Sequence, residues 1–267
     1  MKNRVLCMLF VGALLFSGCT KANAQQSRTD ADVSILTKVL ASLSDACRNS
    51  IKNGDAGEFL ADLQHVLEAD EDDLLILCDK KHPVGSSYAP SDLIPLVKGE
   101  SYTIGRNDLS LRKPAYESLK LMAEAARKDG ITLLASSSYR SYAYQTTVYN
   151  RLVKLQGQEI TDRESARPGT SQHQLGTVVD FGSIDDSFAK TKACQWLNKH
   201  AGEYGWSLSF PDGYEEYTGY RWECWHFRYI GEKACAFQEK WFGGIQQFML
   251  EFIYNYKQID SERKNAH

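Results

Sequence analysis

Two short stretches, far apart in the chain, carry side chains that have a use only if they meet. Glu223-Cys224-Trp225-His226 and the run from Ser171-Gln172-His173 to Asp180 together supply two imidazoles, one carboxylate and a spare glutamate. Two histidines and a carboxylate make a ligand set for one metal ion with a coordination position left open. A fold that gathers them must turn sharply twice. On one helix His173 and Asp180 would lie about 10 Å apart along the axis, too far for one ion. On one flat strand they would point to opposite faces. Gly176 stands between them and permits a bend, so His173 is placed on a loop and Asp180 near the end of the following strand. Glu223 and His226 also fall on opposite faces of a flat strand. The strand-forming run from Trp225 puts Glu223 at the strand entrance, where a twist or bulge lets both side chains reach one point. Taken singly, the first pair also reads as chance spacing, and the second as a buried histidine among Trp222, Trp225 and Phe227.

Around these motifs the apolar periodicity alternates between helix and strand without a strict repeat. Val33, Leu36, Val39, Leu40 and Leu43, then Phe59, Leu63, Val66 and Leu67, fall at helical spacing on either side of Asn53-Gly54-Asp55, which predicts an N-terminal helical hairpin over 31–70. Leu74 to Cys78 is a short strand candidate. A helix is expected from Lys113 to Lys128, with Pro114 in its first turn and Gly130 ending it. A strand follows from Ile131 to Ala135, then a helix from Tyr142 to Leu155. Thr177–Phe181 and Trp225–Ile230 read as strands, Cys194–Tyr204 as a helix, and Phe237–Tyr256 as a C-terminal helix. Residues 257–267 form a polar tail. The fold class expected is α+β, a small antiparallel sheet flanked by helices, with the main domain over 72–256.

The N-terminus reads as an export signal. Lys2 and Arg4 precede an apolar run from Val5 to Phe16 that is too short for an ordinary membrane span and is followed by small residues. Phe16-Ser17-Gly18-Cys19 resembles a lipobox, which makes 1–18 a signal peptide, Cys19 a lipidated first residue and 19–30 a tether. Ala22-Asn23-Ala24 offers an alternative cleavage after residue 24 that would release a soluble protein. Either reading leaves about 245 residues, enough for one sizeable core. Seven cysteines are present, of which Cys47, Cys78, Cys194, Cys224 and Cys235 lie beyond Cys19. In an oxidising compartment an odd number leaves one unpaired, and Cys47 with Cys78 is a plausible staple. A net charge of −3 argues against a nucleic-acid partner.

Ser137-Ser138-Tyr139-Arg140-Ser141 follows a strand and precedes a helix, where an arginine can hold a carboxylate bidentately. This stretch through Gln145, the run Ala166 to Gly176 with Asp180, and Thr218 to Gly231 keep the order and spacing of a family. The chain resembles the VanY-type D-alanyl-D-alanine and L,D-carboxypeptidases of bacterial cell walls, over roughly residues 72–256. The resemblance implies zinc held by His173, Asp180 and His226, with Glu223 as catalytic base and acid. It implies that Arg140 stabilises the developing oxyanion or binds substrate, and that Ser138, Tyr139, Gln145 and Ser171 line the substrate site. Ser138 stands where glycine is common, Leu175 where threonine is common and Cys224 where proline is usual; no ligand and no base is lost.

The function so implied is removal of the C-terminal D-alanine from peptidoglycan stem peptides. L,D cleavage of tetrapeptides is favoured and D,D cleavage of pentapeptides comes next. Two other readings stay open: a zinc-containing lipoprotein that binds wall peptides without cutting them, and an endopeptidase of cross-links. A monomer is expected, exported and held at the membrane through Cys19.

Overall fold

The computed structural model describes residues 33–99 and 101–265; the segments read from sequence as signal peptide and tether, with Cys19, lie outside the described residues. In chain order the elements are α1 (33–42), α2 (Asp45–Ser50), α3 (Ala56–Ala69), β1 (Leu93–Pro95), β2 (Thr103–Ile104), β3 (Ser110–Arg112), α4 (Lys113–Lys128), β4 (Leu134–Ser137), α5 (Tyr142–Gln156), α6 (Gln158–Glu164), β5 (Val178–Phe181), α7 (Lys192–His200), β6 (Trp206–Leu208), α8 (Glu215–Thr218), β7 (His226–Tyr229), α9 (Glu232–Trp241) and α10 (Gln246–Asn265). Strands β2-β4-β5-β7-β6 form one sheet in that order, antiparallel except for the β2–β4 edge, and β1 pairs with β3 beside it. This is the mixed α+β architecture expected.

Alternation along the sheet separates two faces. Val179, Phe181, Trp206 and Phe227 point to one side and pack with Leu119, Met122 and Ala123 of α4 and Leu197 of α7. Asp180 and His226 sit opposite each other in register and face the other side. Between Ala135 and Ser137 the β4–β5 register shifts, so Ala135 pairs with Phe181 while Ser137 pairs with Asp180. A bulge of this kind re-aims the strand end and delivers Ser137 to the polar face.

A second core joins the two ends of the chain. Ile35, Leu36, Val39, Phe59, Leu63 and Val66 of the N-terminal helices are buried with Phe237, Trp241, Phe248, Phe252 and Ile253 of α9 and α10. Phe59 stacks edge-on against Trp241 at 5.2 Å and Phe252 at 5.2 Å.

Three local expectations are corrected. Leu74–Cys78 is not a strand: the carbonyls of Leu74 and Ile76 accept from the guanidinium of fully buried Arg228 on β7, at 2.7 and 2.8 Å, instead of from a neighbouring strand. The C-terminal helical stretch is broken into α9 and α10 at Gly243-Gly244, whose φ values of +60° and +78° no helix accommodates. Cys47 and Cys78 are both buried, unpaired thiols, and the Cys47 thiol donates instead to the Phe248 carbonyl at 3.4 Å.

Candidate metal centre and catalytic cleft

His173 lies in a 3₁₀ turn, Gln172–Leu175, which Gly176 closes in the left-handed region at φ 72°. A Cβ on Gly176 would meet Arg112 Cγ and Leu93 Cδ2 at 3.0 Å. The chain reverses at this point and enters β5, so that Asp180, four residues beyond Gly176, returns to His173. Glu223 and His226 are joined by a tight turn and not by a bulged strand: the His226 N–H donates to the Glu223 carbonyl at 3.2 Å. The turn ends as β7 begins and leaves both side chains on one side.

The result is a compact constellation. His173 Nε2 is 3.2 Å from Asp180 Oδ2, and His226 Nδ1 is 3.2 Å from Asp180 Oδ1 and 3.4 Å from Glu223 Oε2. One donor atom from each of His173, Asp180 and His226 lies within 4.8 Å of the others, and all three residues are buried. Each imidazole is anchored through its other nitrogen. His173 Nδ1 meets the Ser138 carbonyl at 2.7 Å, and His226 Nε2 meets Gln172 Oε1 at 3.2 Å. Both of those partners accept hydrogen bonds, so in the neutral form of each ring the anchored nitrogen carries the proton and the facing nitrogen keeps its lone pair.

That arrangement fits a cation. Burial pushes His173 down to about 4, against the pull of Asp180, so its ring is neutral at pH 7. Its bare Nε2 then stands lone pair to lone pair with Asp180 Oδ2, a contact that a shared positive ion resolves. Asp180 Oδ1 is buried without a hydrogen bond, and a buried carboxylate oxygen of that kind is costly. Burial alone would raise Asp180, but His173 and His226 hold it well below the usual carboxylate range. Burial disfavours charge on His226 too, yet Asp180 and Glu223 outweigh it and push the ring up to about 9 without metal. A cation bound here takes the place of the His226 Nδ1 proton, and two imidazole nitrogens and a carboxylate oxygen are then the donors expected for zinc.

Glu223 faces this group from the side, and burial raises it above the ordinary glutamate value despite His226. Arg140 lines the same cleft. Its Nη1 donates to Gln145 Oε1 at 2.7 Å, its Nη2 donates to Ser137 Oγ at 3.1 Å, and Nη2 is 4.0 Å from Asp180 Oδ2. Burial lowers its pKa and Asp180 opposes the shift; it remains a cation. The cleft encloses about 250 Å³, and its walls include Ser171, Phe210, Tyr220 and Trp225.

The residues picked from sequence divide into two groups. His173, Asp180, His226, Glu223, Arg140 and Ser171 line the cleft together. Ser138 and Gln145 are instead behind it. The Ser138 hydroxyl accepts from the Ser110 N–H at 3.0 Å while its carbonyl orients His173. Gln145 is fully buried and bridges Arg140 to the Ala166 carbonyl. Tyr139 is half-buried and does not line the cleft. Sequence reasoning passed over Gln172 and Ser137, which position His226 and Arg140. Gln172 directly precedes the ligand His173, and that adjacency was the available signal.

Comparison with known proteins converges on one family. The family model described as VanY, D-alanyl-D-alanine carboxypeptidase, matches residues 108–232. The chain is 29% identical over 239 residues to YodJ of Bacillus subtilis (strain 168), covering 85% of this chain and 88% of YodJ. Among solved structures it resembles the LD-carboxypeptidase LdcB, with a TM-score of 0.59 and 29% identity over 67% of this chain and 85% of LdcB. It also resembles the vancomycin-resistance D,D-pentapeptidase VanY of a VanB-type cassette, solved with Zn(II), with a TM-score of 0.55 and 26% identity over 66% of this chain and 98% of that one.

Proposed function

The chain belongs to the VanY family of D-alanyl-D-alanine carboxypeptidases, and on that premise we propose that it removes the C-terminal D-alanine from peptidoglycan stem peptides, acting first on tetrapeptides as an L,D-carboxypeptidase. It is a zinc metallocarboxypeptidase. The observation that carries the reading is the meeting of His173, Asp180 and His226 with a second carboxylate, Glu223, in one cleft that Arg140 also lines. A module that only bound wall peptides would need no base there. The lean toward the tetrapeptide is supported by the likeness to LdcB; D,D cleavage of pentapeptides is the second reading.

His173 Nε2, Asp180 and His226 Nδ1 would hold the zinc. When bound, zinc lowers the pKa of a coordinated water and polarises the scissile carbonyl. The Glu223 carboxylate accepts the proton of the attacking water and passes it to the leaving D-alanine nitrogen as the peptide C–N bond breaks. Burial that lifts its pKa suits it to both halves of that transfer. Arg140, fixed by Gln145 and Ser137, has further N–H groups for a substrate oxygen. It would hold the free terminal carboxylate, and an internal peptide bond would leave its charge uncompensated.

Defined tetrapeptide, pentapeptide and cross-linked dimer, incubated with the zinc protein and followed by mass spectrometry, test the reading. Loss of one D-alanine from the tetrapeptide is expected, with amidation of its terminal carboxylate suppressing cleavage. Glu223→Gln should keep its zinc and lose on the order of 10³-fold or more in rate. Full activity of that variant refutes the mechanism, and efficient cutting of the dimer makes the protein an endopeptidase. The cell-wall substrate calls for export. We further propose attachment through lipid on Cys19, which a mature N-terminus at Gln25 would refute.

A further inference from the structure

Helix α5 turns one face to the cleft. Val148 lies three residues beyond Gln145, and Arg151 and Leu152 lie three and four beyond Val148, so these three continue along the helix from Gln145 on the cleft side. Gln145 grips Arg140, and Val148, the exposed Arg151 and Leu152 line the cleft further along the helix. The nearby surface arginines are spoken for: Arg163 pairs with Glu215, Arg167 with Asp162 and Arg221 with Asp186. Arg151 has no hydrogen bond or ion pair among the described residues. It is a free cation on the wall of a peptidase cleft.

Its position says which group it can meet. Arg151 is six residues beyond Gln145, about 9 Å along the helix. A terminal carboxylate held at Arg140 cannot reach it. A group one residue upstream at the end of a long side chain can, since an extended residue spans about 3.5 Å. Glu164, at the end of α6, lines the same cleft. Its Oε2 accepts from Gln156 Nε2 at 3.0 Å, which ties it to the last turn of α5 beyond Arg151. Ile184, 51% exposed, offers an uncovered apolar surface on the cleft wall. Cation, carboxylate and apolar wall together match a side chain with a methylene stem and a charged end of both signs.

We propose that Arg151 and Glu164 select stem peptides whose third residue ends in a zwitterion, as diaminopimelate does, over those ending in an ammonium alone, as lysine does. The inference rests on the reading of the cleft as the peptidase site. Arg151 takes the side-chain carboxylate, Glu164 the ammonium, and Ile184 the methylenes.

Three tetrapeptides test it, with diaminopimelate, its side-chain amide, or lysine at the third position. For exposed charged contacts the wild type should favour the first by about five- to tenfold in kcat/KM. Arg151→Gln should bring the three within about twofold of one another, Arg151→Lys should restore part of the preference, and Glu164→Gln should lower all three. The same peptides titrated calorimetrically against Glu223→Gln protein read the contact without turnover. If no peptide is cut but this binding preference holds, the hydrolytic reading fails and the Arg151 assignment stands. A wild type that does not discriminate, or an Arg151→Gln protein weakened equally on all three, overturns the assignment.

Discussion

Gly176 is the residue on which the centre turns. Its φ of 72° is a conformation that a side chain resists, and an added methyl would press on Arg112, Leu93 and Pro90, none of them more than 3.2 Å from it. Gly176→Ala is expected to cost about 1–3 kcal/mol of stability and to weaken zinc binding, because the same turn sets His173 against Asp180. Urea unfolding with and without zinc, beside a competitive zinc titration, checks both effects; an unchanged zinc affinity would show that the turn does not set the ligand geometry. At this scale the chemistry was legible in sequence. Histidine, aspartate and glutamate at fixed spacings announce what they can ligate or protonate, and Arg140 announces a charge. What was not legible is direction. Ser138 and Gln145 sit in the same motif as Arg140, yet the β4 bulge and the packing of α5 turn them behind the cleft. No spacing rule says on which side of a bulge a hydroxyl ends.

Elements were legible where periodicity alone decides them, as in α4, α5, β5 and β7. They were not where a distant group competes for the backbone. Leu74–Cys78 has strand composition, but Arg228, some 150 residues later, takes its carbonyls. The turn that follows is clasped in the same manner. Asp79 accepts from the N–H groups of Lys81 and His82 and from Gln247 Nε2 of α10, the last at 2.8 Å. Burial works to raise Asp79, but these bonds prevail and its pKa is lowered. A carboxylate depressed in the folded state adds stability above its unfolded pKa of about 4, and that contribution is lost as pH falls through the folded value. Asp79→Asn should therefore cost about 1–2 kcal/mol at pH 7, and the gap from wild type should close as pH drops below about 4. Denaturant midpoints measured at intervals from pH 7 to pH 3 follow it; a gap that is constant with pH would mean that the carboxylate charge contributes nothing.

At the scale of the molecule, the sheet and α4 and α7 enclose one core, and the two ends of the chain enclose the other. The sequence sets the N-terminal helical hairpin over 31–70 apart from the main domain over 72–256, because its apolar stripes say only that they are covered, not by what. The structure supplies the cover in α9 and α10. A protein beginning at residue 70 would expose Phe237, Trp241, Phe248 and Phe252 at once. Such an uncovered apolar face marks an aggregation hazard, so this truncation is expected to yield insoluble protein or to lose its cooperative thermal transition. Size-exclusion chromatography and a thermal scan decide it; a soluble monomer with the full-length melting temperature would mean that the helices are a separable module.

The joining of the chain's two ends also sets an order in time. A ribosome makes the N-terminal helices some 160 residues before their partners around residues 230–253. Throughout that interval the stripes of Ile35, Leu36, Val39, Phe59 and Leu63 have no native surface to cover them. His226 emerges only shortly before those partners do. The last zinc ligand and the last core residues are thus made together, so a prematurely ended chain yields neither a stable fold nor a stray hydrolase. The long wait makes the nascent chain a natural client for chaperones that shield apolar helices.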